Sequence, residues 1–329
     1  MVIQITDREG HQIKQLKNAD VDFDLNGKGK DFQITIPASE FDNRIVYGGR
    51  IFAEGTEIGG VFGELYTDTS IDSVSWSGFT WRGLLSKKVI VPPKGQDYLV
   101  VSGELNSILR SLIEPMFSGV FVVPEIETGV KISSYQFVRY CTLLDGIEDM
   151  LNSANHRIDI TYNAGEPNGT GYVEVKAVPV MDYSKSIELS QDSRLDFTMS
   201  DKRNGVNHLI VLGQGELKDR IVVDLYLQGD GSVGDSKYYT GIDEIVDIYE
   251  NTNAVEPDLS NEGKKRLLEL ANKKTFDMNV ESLSLGISIG DIVGGRDYIT
   301  GMSMARPLKN ILIQVKNDIV TKQYELEGN

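Results

Sequence analysis

Across residues 21 to 36, apolar side chains occupy every second position on either side of a glycine-rich connection. Val21, Phe23 and Leu25 alternate with acids, then Phe32, Ile34 and Ile36 alternate with polar residues. A period of two puts all the apolar side chains of a strand on one face, so this stretch specifies a β-hairpin with one buried side. The same pattern fills residues 1–99 as VIQIT, RIFAEG, GVFGELYT and SVSWSGFTW, and it returns after Gln191 in RLDFTMS, VNHLIVLG and RIVVDLYLQ. LKNILIQVKNDIVTKQYELEG reads as two more alternating strands joined through Lys316, Asn317 and Asp318. In SVSWSGFTW the apolar positions fall at 74 and 76 and then at 79 and 81, so a β-bulge is expected at Ser77 and Gly78.

Between about residues 100 and 192 the period lengthens to that of a helix. SGELNSILRSLIEPMF places Leu105, Ile108, Leu109, Leu112 and Ile113 on one face, with Ser102 as candidate N-cap and Pro115 as the stop. TLLDGIEDMLNSAN has Thr142 as cap, Asp145 three residues later, and Leu144, Ile147 and Leu151 inward. HRIDITYN and YVEVKAVPV form a hairpin around AGEPNGTG, and a further helix is expected in DLSNEGKKRLLELANKK, with Leu267, Leu270 and Ala271 inward. With 329 residues the chain has room for two core-bearing units. The expected organisation is a first β unit at 1–99, an inserted α+β segment at 100–192, and a second β unit at 193–329 with a helical excursion around 258–274. Residues 50–70 and 291–310 share the order short strand, glycine-containing charged turn, second strand, which a pair of related β-barrels would explain.

The formal charge of −16, from 33 Lys and Arg against 49 Asp and Glu, argues against nucleic-acid binding and would let DNA slide past without sticking. MVIQITDREG lacks the basic start and apolar run of a secretory signal, so cytoplasmic synthesis is expected. No apolar stretch reaches membrane-spanning length, so no membrane insertion is expected. The single cysteine, Cys141, excludes an intrachain disulfide and a multi-cysteine zinc site, as for a protein matured in a reducing compartment.

Several stretches imitate chemical motifs. GISIGDIVGG has neither the Lys-Ser/Thr pair nor the helix that a phosphate loop requires, so Gly290 and Gly294 read as turn glycines at positive φ. GQG at 213–215 follows a strand, but Lys218 stands where a dinucleotide fingerprint needs its third glycine. Asp22, Asp24, Asn26 and Gly27 begin like a calcium loop, yet Gln33 replaces its closing glutamate, and a hairpin fits better. Cys141 precedes a helix, with His156 and His208 elsewhere as bases, but no nucleophile signature surrounds it. Asp145, Glu148 and Asp149 fit the solvated face of an acidic helix better than an acid/base set. Trp76, Phe79 and Trp81 with Tyr66 read as inward strand aromatics rather than a sugar platform, and the lysines of GKKRLLELANKK as a solubilising surface. No catalytic, cofactor or metal set emerges.

GRIFAEGTEIGG, FTWRGLLSKKVIVPPKGQDY and SIGDIVGGRDYITGM together resemble the siphophage tail-hub family, encoded in long-tailed bacteriophages and prophages and related more remotely to the baseplate hub of contractile tails. The similarity runs from about residue 20 onward. It is closest at Trp81, Arg82 and Gly83, at Pro92, Pro93, Asp97 and Tyr98, and at Gly290, Asp291, Gly294, Arg296 and Asp297. The resemblance implies a mainly β fold with an α+β insertion, in which two tail-tube-like barrels per chain assemble as a homotrimer to match a hexameric tube. It implies a non-enzymatic structural protein of the virion, at the tail tip or baseplate. Its partners would be the tail tube or distal tail protein, the tape-measure protein, and tail fibres or receptor-binding proteins, with DNA passing an acidic bore. The hub of a contractile injection machine would read the same way. The competing reading is a carbohydrate-binding or carbohydrate-active protein at the host surface. It requires Trp76 or Trp81 to be exposed, or two carboxylates about 5 to 9 Å apart in a cleft.

Overall fold

Strands Asp20–Asp24 and Phe32–Pro37 form the hairpin that the alternation specifies, with Val21 opposite Ile34 and Phe23 opposite Phe32, all four buried. The computed structural model describes residues 1–16, 19–29, 31–117, 119–165, 170–184, 188–189, 196–255, 258–271, 273–280, 286–296, 299–316 and 319–326. The chain is mainly β, with 42% of residues in strands and 18% in helices. It divides into two compact units, one comprising Met1–Phe197 with Asp277–Glu327, the other Thr198–Phe276.

The first unit is built on one large antiparallel sheet. Its order runs Ile319–Leu326, Ser303–Lys316, Asp20–Asp24, Phe32–Pro37, Ser73–Thr80, Gly59–Asp68, Arg50–Phe52, Gln4–Thr6 and, at the margin, Gln12–Gln15. Leu312 faces Asp24 and Val315 faces Val21, so strands from the two β-rich ends lie side by side in a single sheet. Among the described residues the strands do not close into a barrel. Alternation fixes which face of a strand is buried and says nothing about its neighbour, so this pairing was not expected from the sequence. The two similar stretches are both hairpins: Arg50–Phe52 pairs with Gly59–Asp68, and Ile292–Arg296 with Ser303–Lys316.

The expected bulge at Ser77 and Gly78 is absent from that strand, which pairs without interruption from Phe32–Gly78 to Pro37–Ser73. The irregularity lies on the partner, between Phe62 and Glu64, where Gly63 is the extra residue. The two-residue period therefore continues through Val74, Trp76 and Thr80, all buried, and Phe79 points outward. Trp81 is not a strand residue: Thr80 caps a short helix, α1 (Trp81–Ser86).

The α+β segment contributes α2 (Leu105–Ile113) and α3 (Leu143–Ser153), packed against strands His156–Asn163, Tyr172–Pro179 and Phe121–Val122. The expected apolar stripes of both helices are buried. Thr142 caps α3 by accepting from the Asp145 N–H. The α2 cap is Glu104 rather than Ser102, because the strand Val100–Glu104 runs through Ser102 and the Glu104 carboxylate accepts from the Ser107 N–H.

The second unit is a sheet ordered Val233–Gly234, Val222–Leu227, His208–Leu212, Val246–Glu250, with α4 (Asp258–Leu270) on one face. Leu259 and Leu267 of the helix meet Leu209, Val211 and Leu225 of the sheet. Gly263 permits the close approach, since a Cβ there would come within 2.6 Å of the Val211 side chain.

Candidate functional site

Thr80 ends its strand, and its hydroxyl accepts from the Gly83 N–H over 3.1 Å, turning Trp81 and Arg82 into the interior. The Trp81 ring stacks on Tyr162 with 5.4 Å between centroids and meets Phe121 edge-on at 6.4 Å. Arg82 is 1% exposed, and a guanidinium so deeply buried needs compensating charge. It donates to Glu57 at 2.5 Å, to Glu148 at 3.1 Å and to the Ile158 carbonyl at 3.4 Å. Glu57 lies in the turn between Arg50–Phe52 and Gly59–Asp68, Glu148 on α3 and Ile158 on the strand His156–Asn163. One side chain thus ties together three elements distant in sequence. Lys28, from the hairpin loop, extends the cluster with its ammonium 2.6 Å from Asp145 and 3.5 Å from Glu148.

Asp291 is also fully buried. One carboxylate oxygen accepts from Arg157 Nε at 2.8 Å and from the Met181 N–H at 3.0 Å, and the other from the Ser288 N–H at 3.0 Å. Gly290, at φ +96°, makes the turn beneath it, where a Cβ would come within 2.8 Å of Arg157 Cβ. Arg157 also donates to Asp159 at 3.0 Å, and, like Arg82, it donates to the Ile158 carbonyl. Two stretches from opposite ends of the sequence therefore meet around Ile158.

Burial pushes the Glu57 carboxyl up, against the pull of Arg82, with Asp159 adding to the rise and Arg157 opposing it. For Arg82, burial alone would lower the guanidinium, and Glu57 and Glu148 more than reverse that. Beside α1, burial pushes the Asp31 carboxyl up to about 6, with Lys87 opposing and Asp24 adding. That carboxylate packs directly on Gly83, where any side chain would collide with it. The cluster pairs buried charges across elements and so fixes their register; it is a structural lock.

The remaining expected residues are placed as follows. Gly294 lies in the strand Ile292–Arg296 at ordinary φ, and its smallness serves close contact: a Cβ would come within 2.9 Å of the Ser184 backbone. Arg296 ends that strand, and Asp297 lies outside the described residues. Pro93, Asp97 and Tyr98 lie in an exposed loop with Pro92 half-buried. Asp145 and Asp149 lie on the solvated face of α3, Asp145 paired with the half-exposed Lys28, whereas Glu148 is half-buried and turns to Arg82. Trp76 and Trp81 are both buried, so the sugar-platform reading loses its tryptophans; Phe79 and Tyr66 are exposed. Burial raises the Cys141 thiol, which disfavours the thiolate. His156 Nδ1 contacts the Ala154 carbonyl, and His208 lies between Asp224 and Glu244. Asp22 of the calcium-like stretch accepts from Gln314, and no cluster of three or more metal-ligating side chains occurs among the described residues. Sequence reasoning missed Glu57 and Arg157, because neither stands in a motif and each acquires its role only through a distant partner.

No protein-family model matches the chain, and no curated protein matches it in sequence. Solved structures do match its fold. The 43 kDa tail protein of prophage MuSo2 from Shewanella oneidensis is 13% identical with a TM-score of 0.54, covering 99% of this chain and 98% of that one. A chain of the p2 virion baseplate in its activated conformation is 10% identical with a TM-score of 0.52, covering 99% of each. The tail protein from Neisseria meningitidis MC58 is 16% identical with a TM-score of 0.50, covering 99% and 95%. The chain shares the fold of these tail and baseplate proteins over nearly its whole length. Among the described residues no helix is long and apolar enough to cross a membrane.

Proposed function

We propose that this chain is a structural component of a phage or prophage tail, the hub at the tail tip or baseplate. The observation that carries the reading is the shared fold with a prophage tail protein across 99% of one chain and 98% of the other. In this reading three copies assemble as a ring that continues or closes the tail tube, and the tube-like barrels are completed between copies. The marginal strand Gln12–Gln15, which pairs on one side with Gln4–Thr6, offers an edge for such joining. The ring would dock the distal tail protein, the tape-measure protein and fibres or receptor-binding proteins. The charge of −16 would line a bore through which DNA passes without adsorbing.

The buried lock suits this role, because it provides a rigid body held by charge pairs shielded from solvent rather than a mobile cleft. The test is to assemble tails in the encoding host with and without the chain. Tails made without it should lack a finished tip, and antibody against the chain should label that tip in complete particles. Complete, infectious tails without the chain would overturn the reading.

A further inference from the structure

In the Thr198–Phe276 unit, α4 packs on the sheet face that carries Leu209, Val211 and Leu225, and alternation puts His208 on the other face. Even so, the His208 side chain is only 10% exposed. The Tyr226 ring of the strand Val222–Leu227 lies against it, with 4.4 Å between centroids, and Val246 stands in register with it on the other side. Both of its ring nitrogens meet an acid. Asp224, on the same strand as Tyr226, lies 2.8 Å from Nε2. Glu244, at the end of the connection from Val233–Gly234 to Val246–Glu250, lies 2.7 Å from Nδ1.

A carboxylate accepts and has no hydrogen to give, whereas a neutral imidazole carries one N–H and one lone pair. Two carboxylates at hydrogen-bond distance therefore suit the imidazolium, and the neutral ring must turn its lone pair toward one of them. Among the described residues the charged groups facing the ring are Asp224, Glu244 and Lys237, whose ammonium lies 2.7 Å from Glu244. Two acids against one lysine leave a single negative charge, which an imidazolium cancels. Lys237 and His208 hold the Glu244 carboxyl below the usual carboxylate range, so it stays charged where imidazole titrates. Tyr226 is the remaining titratable neighbour on that strand. Asp247 is in register with Leu209 and so turns to the α4 face, and Asp243 is exposed and offers its carbonyl to Asn207.

We propose that His208 is a proton-operated clasp. As the imidazolium it holds Glu244 to Asp224 and so fastens residues 235–245 to the sheet; as the neutral ring it gives up one of the two. The direction follows from the bonding, because the proton-bound form has two partners and the proton-free form one. The clasp is complete at the acid end of the imidazole range, about pH 5, and opens as pH rises toward about 8. What it fastens is a displayed surface, since Tyr238 is 59% and Ile242 98% exposed on that connection. Other ties there carry no proton switch. Asn207 donates to the Asp243 carbonyl at 2.6 Å and accepts from the Ile245 N–H at 2.9 Å, and Gln228 donates to the Ser236 carbonyl at 2.8 Å. Opening therefore loosens the connection locally and leaves the sheet folded.

The chain has three histidines, so imidazole NMR of the full-length protein between about pH 5 and about pH 8 can follow each one. His208→Gln identifies the resonance by its loss. Asp224→Asn and Glu244→Gln, made singly, should each lower the midpoint of that resonance by about one pH unit, because each removes a charge that favours the imidazolium. A midpoint that neither change moves overturns the proposal. Amide exchange over residues 235–245, corrected for the intrinsic effect of pH, should quicken about tenfold across the same range in the wild-type chain and stay level in His208→Gln. Equal protection at both ends of the range in the wild-type chain also overturns it. The Asp224 and Glu244 side chains are 47% and 19% exposed, so their variants decide the question by themselves if His208→Gln does not fold.

Discussion

The lock around Arg82 and the sheet of the Thr198–Phe276 unit handle charge in opposite ways. Arg82 and Asp291 are sealed from water, each with its counter-charge within hydrogen-bond reach. In the other unit the ion pairs lie at the surface: Arg220 on Glu250 and Lys237 on Glu244. A buried pair adds little net stability over an apolar replacement, yet losing one member strands the other in a dry interior. A rim pair can lose either member to water at almost no cost. Shared geometry, rather than the number of pairs, decides which region is brittle.

The largest effect should come from Arg82→Ala, which strands Glu57 and should lower the stability of its unit by about 3–5 kcal/mol in urea denaturation. The transition of the Thr198–Phe276 unit should not move. A loss below about 1 kcal/mol would erase the contrast. Asp31 tests a buried carboxyl held less completely. Its carboxyl is raised from 3.8 to about 6, so the folded state binds the proton more tightly than the unfolded chain. The resulting stability is fully present below about pH 4 and is lost as pH rises through about 6. Asp31→Asn, tolerable at φ +45°, should stabilise the protein at pH 7.5 by about 2 kcal/mol and flatten the pH dependence across that window. A pH profile unchanged by the substitution would show that Asp31 is not the group concerned.

Gly290→Val should cost at least about 1–3 kcal/mol, through strain at positive φ together with collision against Arg157, read as a lower melting temperature. Gly294→Val, at ordinary φ, should act through collision with the Ser184 backbone alone, so Ser184→Gly, which leaves that backbone in place, should not restore its melting temperature. The smallest effect belongs to Arg220→Ala at the rim, about 0.5 kcal/mol in the melting of its own unit and less at high salt.

Local pattern made much of this fold legible. The stripes of α2 and α3, the Thr142 cap and the hairpin of His156–Asn163 with Tyr172–Pro179 all follow from residues a few positions apart. What was not legible depends on strangers in sequence. Phe79 faces outward because the extra residue, Gly63, sits on the neighbouring strand. Glu148 looked like a solvated helix residue because its partners, Arg82 and Lys28, come from elsewhere. Arg82 and Asp291 could be singled out by resemblance, but that they meet in one charged cluster depends on Glu57 and Arg157, which no spacing marks.

The pairing of strand Asp20–Asp24 with Ser303–Lys316 also bears on how the chain is made. Asp22 and Gln314, joined across that seam at 2.7 Å, are 292 residues apart. At about 5–20 residues per second, a ribosome leaves the early strand waiting on the order of 15–60 s for its neighbour. Throughout that interval its free edge can pair with the same edge on another nascent chain from the same message. Soluble yield is therefore governed by the speed and crowding of translation as well as by the stability of the finished fold.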